Sequence, residues 1–227
     1  MKYTLLLRLK APLQSWGMAS RFSIRDTAKE PSKSGVIGLL CAALGISRDN
    51  ANTDNPTFNA LTKLKFGVRV NREGVMQKDY HTAQNIAKAD GSKPNKETEL
   101  STRWYLADAD FTVGLESEDL PFLENLQNAV KNPKWQLFLG RKSFVPSVPV
   151  YLAKDGIQNG ELESVLRLDS ENVEKRLVLE NGQGTEVRQD VPLCLKTRRF
   201  SIRRVETKFI EVKGGEGDGN LSDEIES

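Results

Sequence analysis

PLQSWGMASRFSIRDTAKEPSKSGVIGLL, residues 12–40, joins a first hydrophobic strand to a first hydrophobic helix through a long polar loop. Ahead of it, Tyr3, Leu5, Leu7 and Leu9 alternate with Thr4, Leu6, Arg8 and Lys10, the period of a strand with one buried face and one face that turns basic. At its far end, residues 35–45 are apolar nearly all round with Gly45 as a stop, which predicts a buried helix packed on a sheet. The loop between has chemistry suited to nucleic acid. Arg21, Arg25, Lys29 and Lys33 bring positive charge, Gln14, Ser15, Ser32 and Ser34 bring hydrogen-bonding groups, and Trp16 and Phe22 bring flat faces on which a base can stack. Ser34 and Gly35 open the helix, whose first free N–H groups and dipole favour an anion such as phosphate. A solvated surface loop of the same composition would need no ligand at all. A nucleotide-hydrolysing P-loop is a poor fit, because that motif needs glycine where this chain has Thr27 and Ser32.

Further along, Phe66, Val68 and Val70 alternate as a second strand, and residues 102–116 return to strand character with Phe111, Val113 and Leu115 on one side. Pro121 begins a helix whose Phe122, Leu123, Leu126, Ala129 and Val130 form one stripe. With a closing strand near 144–152, the order predicts an α+β, ferredoxin-like domain over 1–152, the architecture of RNA-recognition-motif domains. Residues 72–101 are polar and far longer than a hairpin turn of roughly 2 to 5 residues, so they read as an exposed insertion. Residues 153–210 have turn signals at Asp155-Gly156, Asn159-Gly160 and Asn181-Gly182 and predict a small β-rich extension. Its end crowds Lys196, Arg198, Arg199, Arg203, Arg204 and Lys208 among Phe200 and Phe209, which suits RNA or simply a solvated strand face.

The formal charge of +2 conceals an asymmetry, since residues 211–227 hold six acidic residues and one lysine and read as a disordered acidic tail, leaving a body of +7. Such a body is compatible with RNA as a partner. Cys41 and Cys194 lie in apolar stretches and read as small buried hydrophobes in a cytoplasmic protein. No apolar run approaches the roughly 20 residues of a bilayer span, so no membrane partner is expected. One histidine and two distant cysteines predict neither a zinc site nor a cofactor.

The blocks LRLKAPLQSWG (7–17), RDTAKEPSKSGVIGLLCAALGI (25–46), FGVRV (66–70), DYHTAQ (79–84), RWYLADADFTV (103–113) and GRKSFVPSVPV (140–150) resemble, in order, those of the CasD family, the Cas-five subunit of the type I-E CRISPR surveillance complex Cascade. The family often has glycine where this chain has Ala11. The resemblance implies a repeat-associated RNA-binding protein whose insertion forms a projecting thumb hairpin. It implies a non-catalytic subunit that caps the 5′ handle of the guide RNA, with the CasC backbone subunit and the large CasA subunit as neighbours in antiviral defence. The RNA-binding residues expected on this basis are Gln14, Trp16, Arg25, Lys33 and Ser34 in the opening pocket, His81 and Thr82 at the thumb base, and Arg141 and Lys142 in the later loop. The competing enzyme reading is a metal-independent endoribonuclease that processes precursor RNA, built on His81 and Tyr80 with a lysine for the developing phosphate charge.

Overall fold

The computed structural model describes residues 1–17, 23–84, 98–152, 156–168 and 174–211. In chain order the elements are β1 (Tyr3–Lys10), β2 (Leu13–Gln14), β3 (Ile24–Arg25), α1 (Lys33–Leu44), α2 (Pro56–Lys63), β4 (Lys65–Arg72), β5 (Val75–Gln84) and β6 (Thr98–Ala107). They continue with β7 (Asp110–Ser117), α3 (Leu120–Lys131), β8 (Ile157–Asn159), α4 (Leu162–Leu166), β9 (Glu174–Glu180), β10 (Glu186–Cys194) and β11 (Arg199–Glu211). The result is a mixed α+β protein dominated by antiparallel strands.

Seven strands form one sheet in the order β10-β11-β9-β4-β7-β1-β8, so the strands read from sequence as an extension are continuous with β4. Its centre follows from alternation: Leu5, Leu7 and Leu9, Phe66, Val68 and Val70, and Phe111, Val113 and Leu115 share one buried face, which meets α1, α2 and α3. On the other face lie Leu6, Leu177, Leu179 and Ile210, covered by Leu162, Val165 and Leu166 of α4. This short helix sits close because two of the sheet residues beneath it are glycines. A Cβ at Gly114 would come within 2.6 Å of Leu162, and one at Gly67 within 2.9 Å of Leu166. Glu116 accepts from Leu162 N at 2.7 Å, and the Arg69 guanidinium donates to Leu166 O at 3.1 Å, so sheet residues satisfy both ends of α4.

A second sheet has the order β2-β6-β3, with β5 also on β6. The strand expected over 102–116 is two strands serving two sheets. Asp108, a non-glycine residue at φ 55°, turns the chain between β6 and β7, and its N–H donates to Pro12 O at 2.9 Å. The expected insertion contains a long hairpin, β5 against β6 from Val75↔Ala107 to Gln84↔Thr98; its residues 85–97 lie outside the described residues. The closing strand is also corrected. Residues 144–152 run irregularly along β1, touching it through Arg8 N to Val150 O and a bridge between Leu7 and Tyr151, and β8 pairs with β1 instead. Pro146 and Pro149 lack the N–H groups that a ladder needs.

The α1 helix starts at Ser32, whose Oγ accepts from Gly35 N, and stops at Gly45 in the left-handed region at φ 75°. Burial pushes the Cys41 thiol within it up to about 12, which makes this cysteine a core hydrophobe. Among the described residues no helix is long and apolar enough to cross a membrane. The acidic tail expected over 211–227 lies beyond the described residues from 212 onward.

Candidate nucleic-acid interface

The helix N-terminus expected to receive a phosphate already holds an anion, and it belongs to the protein. Lys33 N donates to the Asp190 carboxylate at 2.8 Å, and the same carboxylate takes Arg203 Nε at 2.6 Å and Nη2 at 2.9 Å. The Lys33 ammonium is 2% exposed and donates to Glu180 Oε2 at 2.9 Å. Its pKa is lowered by burial, with Glu180 pulling the other way. The opening pocket expected around Lys33 is therefore an internal ion network that docks α1 onto β9, β10 and β11. Arg203 also lies over the Phe66 ring at 4.9 Å.

Gln14 and Trp16 are likewise inside the protein. The Gln14 amide, 0% exposed, donates to Leu9 O at 3.1 Å and Ala109 O at 2.8 Å, and accepts from Trp16 Nε1 at 3.2 Å. The Trp16 ring is 2% exposed and lies against Gly35, where a Cβ would come within 2.9 Å of it. This corrects the expectation of a stacking platform: both side chains pin the loop to the core. Ser34 is half-buried, its hydroxyl 3.4 Å from that of Ser32. Arg21 and Phe22 lie outside the described residues.

The loop does expose Arg25 and Lys29, and Arg25 is not alone. Strand β3 runs parallel to β6 with Arg25 opposite Arg103, and Arg141 approaches from the later loop, so three guanidiniums line one open cleft with Ser15, Gly17, Asp26 and Gly140. Arg103 Nε donates to Ser101 Oγ at 3.0 Å, and Arg141 Nη2 donates to Trp104 O at 2.8 Å while its cation lies 5.3 Å from the Phe144 ring centre. These partners are neutral. The Arg141 pKa is lowered first by burial and then by Arg103, with Asp79 raising it and Arg25 lowering it further. The cleft thus gathers three guanidiniums, with the Asp26 carboxylate in its lining and Asp79 opposite Arg103 offsetting part of their charge.

The cleft wall depends on Gly140. It has φ 98°, and a Cβ there would fall 1.8 Å from the Ser15 carbonyl oxygen, so no side chain fits. Close contact is fixed by Ser15 N to Leu139 O at 3.1 Å, and the following turn by Phe144 N to Arg141 O at 2.8 Å. Lys142, next in the chain, is exposed.

On the hairpin, Asp79 pairs with Arg103 and His81 with Ser101, so alternation places these on the face that looks toward the cleft. His81 Nδ1 lies 3.6 Å from Asp79 Oδ2. Tyr80 and Thr82, both exposed, stand on the opposite face with Lys78, whose ammonium lies 5.8 Å from the Trp104 ring centre. His81 and Tyr80 thus do not converge on a common point. Of the C-terminal basic run only Arg203 is taken inside, on Asp190; Lys196 pairs with Asp49 at 2.9 Å on the surface, Lys208 with Glu163 at 3.0 Å, and Arg198, Arg199 and Arg204 are exposed.

Sequence reasoning did not single out Arg103, Asp26 or Gly140 for the site. A cation inside an aromatic strand segment, Arg103-Trp104-Tyr105, was the available signal for the first. Nothing local marked Asp26, and Gly140 becomes informative only once Ser15 is seen against it.

The family model for CRISPR-associated protein (Cas_Cas5) matches residues 4–206. This chain belongs to that family. Among Cas_Cas5 relatives, the "CRISPR system Cascade subunit CasD" of Escherichia coli (strain K12) is 34% identical over 165 residues, 67% of this chain and 71% of that protein. A solved structure described as a Cas protein superposes with a TM-score of 0.72 at 39% identity, covering 92% of this chain and 95% of the other. A chain of a "CRISPR RNA-guided surveillance complex" superposes with a TM-score of 0.76 at 31% identity, covering 92% and 90%.

Proposed function

We propose that this Cas_Cas5 protein is a non-catalytic Cascade subunit that caps the 5′ handle of a CRISPR guide RNA in the cytoplasm. One observation carries the reading: three guanidiniums on three separate chain segments converge on one open cleft, the arrangement that a sharply held phosphate backbone requires. The relatives are a Cascade subunit and a chain of an RNA-guided surveillance complex, which supports placing this chain in the same kind of assembly. The β5/β6 hairpin acts as the thumb, with Lys78, Tyr80 and Thr82 free to meet RNA or the CasC and CasA neighbours. In this reading the body is ferredoxin-like, supported by the strand order β8-β1-β7-β4 with helices α1 and α3 in the crossovers.

The non-catalytic assignment rests on the hairpin. Tyr80 and His81 are adjacent in one strand and face opposite sides, so they cannot serve together as acid and base at one scissile phosphate. Copies purified from cells that carry the other Cascade subunits and the separate processing endonuclease are expected to bring down short RNAs sharing a repeat-derived 5′ end, and a His81→Ala variant is expected to bring down the same RNAs. Sequencing of the bound RNA decides it. Unrelated RNAs would refute the capping role, and uncut precursor on the His81→Ala protein would restore the ribonuclease.

A further inference from the structure

The hairpin leaves the main sheet at a defined point. Strand β4 ends at Arg72, and Glu73 and Gly74 carry the chain over to β5. Gly74 has φ 74°, and a Cβ there would lie 2.7 Å from the Ala107 carbonyl oxygen on β6, so this turn is tightly seated against the second sheet. Glu73 points back to the first sheet. Its carboxylate takes Arg176 of β9 in a two-pronged pair, Nε at 2.6 Å and Nη2 at 2.7 Å.

The remaining prong of the same guanidinium, Nη1, donates to Glu30 at 2.9 Å. Glu30 is 4% exposed, lies between the β3 strand that carries Arg25 and the start of α1, and also receives Arg188 of β10. One planar cation therefore holds two carboxylates from two different segments: the hinge of the hairpin and the loop of the cleft. The Arg176 side chain is 13% exposed, and its pKa is raised above the ordinary arginine value, first by the hydrogen bonds it donates to Glu73. A fork geometry can satisfy both acids at once, which a lysine's point charge cannot do equally well.

We infer that Arg176 is a positioning residue that sets the angle of the β5/β6 hairpin, and with it Arg103, against the first sheet and the Glu30 loop between β3 and α1. It contacts no RNA. Its effect reaches the guide through the two segments it ties to β9: the Glu30 loop, which continues from Arg25, and the hairpin, whose strand β6 carries Arg103. The consequence for RNA rests on the proposed guide-binding role, but the consequence for hairpin angle does not.

The test separates the two. Spin labels at Glu99→Cys on the hairpin and Asn125→Cys on α3, in the full chain with Cys194→Ser, report the distance between hairpin and body. The parent protein is expected to give one narrow distance population, Arg176→Gln a broad or displaced one, and Arg176→Lys an intermediate one. Glu73→Gln cuts only the hinge arm at a side chain 54% exposed, so it keeps the test available if Arg176→Gln does not fold. Distance populations equal to the parent's in the folded variants would overturn the inference. In RNA titrations Arg176→Gln is expected to lower affinity about tenfold, with the salt dependence unchanged. A fall in the salt slope of about 0.7 would instead make Arg176 a phosphate contact and overturn the positioning role. If charge changes at Arg25, Arg103 and Arg141 leave RNA affinity intact, the guide-binding role fails, and the distances still decide the hinge.

Discussion

Replacing Arg103 with glutamate is expected to weaken guide-RNA binding by about a hundredfold at physiological salt while leaving the melting temperature close to that of the parent. The change removes one charge-assisted phosphate contact and puts an anion between Arg25 and Arg141; two effects of about 1.4 kcal/mol each give that factor. Arg103 is only half-buried and its side-chain bond is to the Ser101 hydroxyl, so the strand loses little beyond the like charge that glutamate sets opposite Asp79. Lys63→Glu, at the exposed end of α2, makes a charge change of the same sign and size at a residue that does not line the cleft and is the proper control. Anisotropy titrations of both folded variants read the difference. Equal losses would show a general charge effect with no particular site at β6.

Asp190→Ala is expected to be the most destabilising single change in the α1 docking network, lowering the free energy of unfolding by about 3 to 5 kcal/mol. Asp190 is 1% exposed and neutralises Arg203, itself 3% exposed, while also taking the first free N–H of α1. Without it a buried guanidinium stands unpaired near the Lys33 ammonium, and the helix loses an N-terminal anion. Asp190→Asn keeps a hydrogen-bond acceptor and should lose less. Urea unfolding monitored by tryptophan fluorescence gives the numbers. A loss below about 1 kcal/mol for the alanine variant, the range of exposed pairs, would mean that the network is not what seats the helix.

The parts of the fold legible in the sequence were those written in short-range periodicity. Leucine alternation in β1, Phe66, Val68 and Val70 in β4, and the apolar stripe of α3 were all readable from a dozen residues at a time. The break at Asp108 was not, because a left-handed aspartate is chosen by the two sheets that pull the chain apart there, and β propensity runs through it unbroken. The closing strand was misplaced for a related reason: the stretch over 144–152 looks favourable only if the missing donors of Pro146 and Pro149 are overlooked.

The candidate site was half legible. Arg25 and Arg141 carry charge in blocks that already looked functional, and both line the cleft. Lys33 looked equally available, yet its partner Glu180 lies 147 residues away, and no local pattern announces that a cation will be taken inside by a carboxylate so distant. Trp16 and Gln14 failed by the same logic, since an aromatic and an amide beside a basic loop have identical composition whether they face a base or the core. Charge and aromaticity mark where RNA could bind, and burial decides which of those groups are left to do it.

The salt dependence of guide binding tests most directly whether the arginine cleft holds the RNA backbone. Each neutralised phosphate contributes about 0.7 to the slope of log affinity against log salt for a single strand, so Arg25→Gln, Arg103→Gln and Arg141→Gln together should make that slope shallower by about 2. A variant that stays folded and keeps the parent's slope would contradict the account, because the phosphates would then be held elsewhere.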